Sequence, residues 1–268
     1  MRLHVITYNV RGLPWCRNHI QAIASWLGAS TAPLLCLQEV FTASGRAQYT
    51  ALLKKAGYRV LLPLDDIPTC VFPSGLLIAV RPERYQILST SFQPYLHSIN
   101  VDRFANKGFF TVRLYDRLFR RRCCIINTHT QSDWELSDLF GRTATERIRR
   151  KQAEQILAAM KDTQEPVFVV GDHNQEHSPH PYLRFLHPVS ALPLKKTTFM
   201  ESGEDLDHLA WLPLQWTRPG CTFCDVRDKA PRLIGCQIHQ HPWSDHACVE
   251  MQVDIPLLPT EVAWISSS

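Results

Sequence analysis

The feature that most constrains this chain is a recurring unit: a short apolar run that ends on a polar or charged residue. Asn9 follows HVITY, Glu39 follows LLCLQ and His129 follows CCIINT. Asp172 and Asn174 follow VFVVG, Asp207 lies in DLDHLAW, and Asp245 and His246 stand before ACVEM. Apolar runs this short, bounded by turn-forming residues, read as buried strands rather than helices. Strands gathered into sheets bring their ends together, so these six units predict one pocket assembled from distant parts of the sequence.

The remaining pattern places that pocket in a framework. Strands are expected at Leu3–Tyr8, Leu34–Gln38, Tyr58–Leu62, Gly75–Val80, Tyr85–Ser89, Phe109–Leu114, Cys123–Asn127, Val167–Val170, Leu206–Trp211 and Ala247–Val253. Helical spacing marks His19–Leu27, Gln48–Ala56 with Gly57 behind it, and Arg142–Met160, which Gln164–Glu165–Pro166 closes. Arg117–Arg122 reads as a charged hairpin turn. Beyond Gly171 the chain is loop-rich, with Pro179, Pro181, Pro188 and Pro193. Many strands with few crossover helices imply two mixed sheets packed face to face, with helices outside. No repeat or low-complexity linker interrupts the chain, so residues 1–268 are read as one domain.

Composition narrows the function classes. At 268 residues and 45% hydrophobic, the chain can bury a core without disulfides. A net charge of +4 is too mild for a dedicated nucleic-acid stripe, and Arg120–Arg122 and Arg147–Lys151 read as a solvated turn and helix face. Nine scattered cysteines, several inside apolar strands, fit a reducing compartment. The start, MRLHVITYNV, is strand-like rather than a leader, and nothing approaches the roughly 18 apolar residues of a spanning helix. A monomer, cytoplasmic or peripheral to a membrane, is expected, or a secreted one if a leader has been trimmed.

The blocks TYNVRG, LQEV, NTHT, GDHN, LDHLAW and SDHACV occur in the order in which the endonuclease/exonuclease/phosphatase superfamily carries its signature motifs. This resemblance runs from about Leu3 to Val253. Between the shared blocks, SGLLIAV (Ser74–Val80), ANKGFF (Ala105–Phe110), NTHTQSD (Asn127–Asp133) and ERIRRKQAEQI (Glu146–Ile156) resemble the bacterial-type neutral sphingomyelinases. The resemblance implies a DNase I-like four-layer α/β sandwich. It also implies a Mg2+-dependent phosphodiesterase (Mn2+ or Co2+ as substitutes) that hydrolyses sphingomyelin or a related phospholipid to ceramide and phosphocholine.

The residue roles follow from that likeness. Glu39, with Asn9 beside it, would hold the cation, and Asp245 would hold a second ion or complete a water-bridged set; oxygen ligands of this kind suit magnesium. His246 would be the general base oriented by Asp207. Asp172 and Asn174 would position the attacking water, His129 would hydrogen-bond the phosphoryl group, and Lys107 would touch substrate. One residue departs from the family block: His173 fills a slot that is usually apolar, and strand alternation points to an outward or benign placement.

Three further expectations concern partners. A membrane face is sought among Trp211, Leu212, Leu214 and Trp216, with Trp211 read as core, and around Trp134, Leu139 and Phe140. Cys221, Cys224, Cys236 and His239 have a spacing able to hold a structural zinc ion, against chance clustering as the simpler reading. A metal-dependent nuclease on the same core is the alternative enzyme, and a catalytically silent binding protein the alternative class.

Overall fold

In a computed structural model of the chain, the structure describes residues 1–16, 19–64, 70–133, 142–175, 177, 179–180, 183–185, 206–212 and 231–256. In chain order the elements are β1 (Arg2–Asn9), α1 (Ile20–Ala29), β2 (Leu34–Gln38), α2 (Ala43–Lys55), β3 (Arg59–Leu61), β4 (Leu77–Val80) and β5 (Tyr85–Pro94). A 3-10 turn (Asn100–Phe104) follows, then β6 (Gly108–Asp116), β7 (Arg121–His129), α3 (Arg142–Met160), β8 (Val167–Asp172), β9 (Arg184–Phe185), β10 (Asp207–Leu212), β11 (Arg232–His239) and β12 (Cys248–Asp254).

The strands form two six-stranded sheets, ordered β11-β12-β1-β2-β4-β3 and β5-β6-β7-β8-β10-β9. Among the described strands, β1–β2 is the one parallel pair of the first sheet and β7–β8 that of the second; each lies at its sheet's centre. Side chains alternate across each strand, and the alternation sorts the apolar residues into layers. Leu3, Val5, Leu34, Cys36, Ile125, Phe168, Val170 and Leu209 fill the space between the sheets. Ile6, Tyr8, Leu35 and Leu37 face the helix layer that includes Ile23 and Leu27 of α1 and Tyr49 and Leu53 of α2. Ile126, Val167, Val169 and Ala210 pack with Ala153 and Ile156 of α3. This is the four-layer α/β sandwich the sequence implied.

Most predicted boundaries fall within a few residues of the observed ones, and β2 and α3 match at both ends. α2 begins five residues before its predicted start because its first turn, ASGRA, lacks apolar periodicity; Thr42 starts it instead by accepting a hydrogen bond from the Gly45 amide (3.0 Å). β11 lies in a stretch read as loop. It is an edge strand whose register slips between Leu233 and Gly235, which breaks the alternation that would reveal it. Trp211 is core, as expected. Arg149 corrects the solvated-face reading of Arg147–Lys151: it is buried and forms an ion pair with Asp133 (2.8 Å). Trp134, Leu139, Phe140, Leu214, Trp216, Cys221 and Cys224 lie outside the described residues. No helix among the described residues is long and apolar enough to cross a membrane.

Candidate active site

The alternation that builds the inter-sheet core also builds the site. On the two central parallel pairs, the residues that face the other sheet change from apolar to polar at the carboxyl ends. Val5 gives way to Thr7 and Asn9, Cys36 to Gln38, Ile125 to Asn127 and His129, and Val170 to Asp172. Open sheets place ligand sites beyond such strand ends. The register aligns three of these residues across adjacent strands: His129 pairs with Asp172, and Asp172 with Asp207. His246 enters from the turn before β12, which runs antiparallel beside β1.

Beneath the pocket, the sheets are tied together by buried amides. Gln38 Nε2 donates to Asn127 Oδ1 (2.7 Å) and to the Thr7 hydroxyl (3.1 Å), while Asn127 Nδ2 donates to the carbonyls of Leu37 (2.9 Å) and Leu77 (3.0 Å). Sequence reasoning singled out neither residue. The available signal was a polar side chain on the inward phase of an otherwise apolar strand.

At the mouth, Asn9 Nδ2 donates to Glu39 Oε1 (3.1 Å) and Asp172 Oδ2 (3.0 Å), holding two carboxylates side by side. Glu39 has φ 61°, a left-handed conformation that a non-glycine residue adopts at a cost and that is often found at functional sites. Asn174, at φ 50°, turns back so that its amide N–H meets Asp172 Oδ1 (2.9 Å) and its side chain meets the Thr130 carbonyl (3.1 Å). His246 Nδ1 is 2.8 Å from Asp207 Oδ2, and its Nε2 is 3.6 Å from Asp172 Oδ2. On the other side, His129 Nε2 lies 3.5 Å from Asp172 Oδ2 and 3.1 Å from Lys107 Nζ. Asn9, Glu39, His129, Asp172, Asn174, Asp207, His246 and Lys107 therefore meet in one place. Asp245 stands at the margin, 3.2 Å from Arg11 Nε.

The subgroup blocks fold against the same pocket. Lys107 Nζ also meets the Thr130 carbonyl (2.9 Å) and Asp102 Oδ1 (2.8 Å). Asp102 in turn accepts from the Ser132 amide (2.7 Å) and hydroxyl (2.9 Å). Asp102 escaped sequence reasoning because no motif contains it. His173 corrects the outward expectation: it is buried and packs edge-on to His208, with ring centroids 6.0 Å apart. Burial drives its pKa down to about 3, so it serves as a neutral packing group.

Electrostatics separate the pocket's groups. Burial alone would lower His246, but Asp207 and then Asp172 reverse that and hold it up at about 10. Burial, reinforced by the Lys107 ammonium, lowers His129 to about 3. Burial raises Glu39 to about 7 despite the Asn9 hydrogen bond, with Asp172 adding repulsion. A carboxylate so placed gains from a cation, and an all-oxygen donor at Glu39 fits a hard divalent ion. The ligand atoms of Asp172, Asp207 and His246 also lie within 4.8 Å of one another, an arrangement that could hold a metal.

One consequence concerns stability without added metal. The folded-state pKa of His246, about 10, exceeds its unfolded value of about 6.5, so its contribution is complete below pH 6.5. It fades as pH rises toward 10. In chelator, the melting temperature of the wild-type protein should fall between pH 7 and 9.5, and His246→Gln should flatten that fall. Parallel slopes in thermal melts would contradict the assignment.

Comparison with known proteins accords with this arrangement. No curated protein sequence matches the chain. Among solved structures, sphingomyelinase C from Streptomyces griseocarneus superposes with a TM-score of 0.68 at 18% identity, covering 95% of this chain and 100% of that one. Beta toxin from Staphylococcus aureus, a F277A, P278A mutant with bound magnesium ions, gives 0.67 at 17%, covering 94% and 99%. Humanized D. rerio TDP2 gives 0.68 at 15%, covering 94% and 99%. At such identities the likeness is one of fold, and it identifies the sandwich as DNase I-like. The family model described as the endonuclease/exonuclease/phosphatase family matches residues 6–233, so the chain belongs to that family.

Proposed function

We propose that this protein is a metal-dependent phosphodiesterase that hydrolyses sphingomyelin or a related phospholipid, releasing phosphocholine by direct attack of water. The observation that carries the substrate choice is the convergence of the NKG and TQSD blocks on the pocket: Lys107 reaches both His129 and the Thr130 carbonyl, and its partner Asp102 holds Ser132. A phosphodiester resists hydrolysis because its charge repels nucleophiles and its alkoxide leaves poorly; a divalent cation held at Glu39, with Asn9 beside it, would ease both.

The chain's own residues supply the rest. His246 takes the proton of the attacking water at Nε2 from its neutral form. Beside Asp207 and Asp172 that form is a minority below about pH 10, and a cation bound nearby would favour it by repelling the imidazolium. The same carboxylates stabilise the imidazolium that results. Asp207, on Nδ1, also fixes the tautomer that leaves Nε2 open. Asp172 and Asn174 orient the water. Lys107 stands on the opposite side of Asp172, and its N–H groups go to His129 Nε2, the Thr130 carbonyl and Asp102. It would therefore act through its positive charge on phosphoryl charge building there, with neutral His129 packed between the two.

The deciding assay offers the purified protein with magnesium to sphingomyelin vesicles and, separately, to supercoiled and abasic DNA. Phosphocholine release from the vesicles is the expected result. DNA nicking without lipid turnover would transfer the assignment to the nuclease reading, and no turnover of any diester would favour a silent binding protein.

A further inference from the structure

A contiguous apolar rim leads from the pocket to the molecular surface. Trp15 and Val71 are 64% and 71% exposed, and Phe104, on the 3-10 turn, is 57% exposed. Single exposed hydrophobic residues are ordinary, but a joined group is not. The Trp15 ring lies edge-on to Phe72, with centroids 6.1 Å apart, and Phe72 lies 6.1 Å from Phe41. The Phe72 amide bonds the Phe104 carbonyl (2.9 Å), which splices this loop to the 3-10 turn. Phe41 presses on Gly75: a Cβ added there would lie 2.7 Å from the Phe41 ring and 3.2 Å from Glu39 Cα. The rim thus begins beside the backbone of Glu39, the residue assigned to the cation.

The 3-10 turn reverses the usual sorting of side chains. Its acidic residue, Asp102, is turned inward onto Lys107, while Val101, Arg103 and Phe104 face solvent. Such a surface suits a partner that is apolar in depth and anionic at its edge. A bilayer has that profile: Trp and Phe settle at its interface, and a guanidinium sits among its phosphates. Nucleic acid fits less well, because Val71 and Val101 provide no stacking face and Arg11 is already engaged with Asp245.

We propose that Trp15, Val71, Phe72, Val101 and Phe104 form the face that this protein lays on a phospholipid surface, with Arg103 among the head groups. This orientation would present the pocket to the membrane. The choice of occupant rests on the phospholipid reading above, but its test does not depend on turnover.

The experiment measures sedimentation of the full chain with sucrose-loaded vesicles of phosphatidylcholine and sphingomyelin, comparing wild type with Trp15→Ser/Phe104→Ser. Vesicle partition should fall about tenfold or more, the scale expected from removing two large apolar side chains from an interface. The melting temperature and the hydrolysis of bis(p-nitrophenyl) phosphate, a water-soluble diester, should be unchanged. As a control on exposed apolar surface in general, Leu118→Ser should leave partition unaltered.

Equal partition of wild type and double variant would overturn the inference, as would an equal loss from Leu118→Ser. Binding of a single-stranded oligonucleotide that the double substitution weakens, with no vesicle binding, would reassign the rim to nucleic acid. Rim-dependent vesicle binding without lipid hydrolysis would leave the surface standing and remove the catalytic reading instead.

Discussion

His246→Ala should lower kcat for phosphodiester hydrolysis by about a thousandfold or more while leaving KM and the fold largely intact, since general-base catalysis of this kind contributes factors of about 10² to 10⁴. The substitution removes the only imidazole that touches both Asp207 and Asp172 among the described residues. Asp207→Asn is the sharper probe. It preserves shape, yet an amide at 2.8 Å from Nδ1 can reverse the ring's tautomer and put a proton on the nitrogen meant to receive one. A loss comparable to that from His246→Ala is expected, with little additive effect in the double variant, because the two act as a unit. Glu39→Gln should be equally damaging and should also weaken magnesium binding in calorimetry. Independent, multiplicative losses at His246 and Asp207 would break the proposed relay.

Gly171→Ala should destabilise the protein by about 3 kcal/mol or more, a large single-site effect that follows from steric collision rather than lost contacts. Gly171 has φ 141°, which side chains rarely adopt, and a Cβ there would run into the Thr128 carbonyl on the neighbouring parallel strand. For a chain of this size that corresponds to about 6–12 °C in melting temperature. The loss should extend to chemistry. Gly171 lets β8 approach β7 closely enough for Asp172 to lie 3.5 Å from His129, so a folded variant should retain substrate binding better than turnover. An unshifted thermal melt would mean that the strands tolerate more separation than their register implies.

How much of this was legible beforehand depended on which physical signal each residue carried. β2 and α3 were read with both ends correct because apolar runs and helical spacing report burial directly, and burial is what sequence pattern encodes best. The pocket residues were legible for a related reason: each interrupts an apolar phase at a strand end. The illegible features answer to tertiary demands. The left-handed backbone of Glu39 has no local cause in LQEV, since strain of this kind persists only when the surroundings impose it. For His173, alternation along the strand points outward, but alternation alone does not show the layer that covers the ring; the benign half of the expectation fits its neutral, buried state. Arg149 looked solvated on its helix because its partner, Asp133, lies in a different segment. Asp102 carried no motif, and its importance appears only once Lys107 and Ser132 are seen to converge on it.

The amide lock between Gln38 and Asn127 has a consequence for how such a molecule can change over evolutionary time. Two halves contribute the groups proposed to react, and a slip of either against the other would undo their spacing. Because the fastening lies below the pocket floor and involves none of the rim, the rim can be exchanged, lengthened or repainted with different side chains while the reactive geometry holds still. A single chemical engine can in that way be fitted to new substrates by altering the doorway alone.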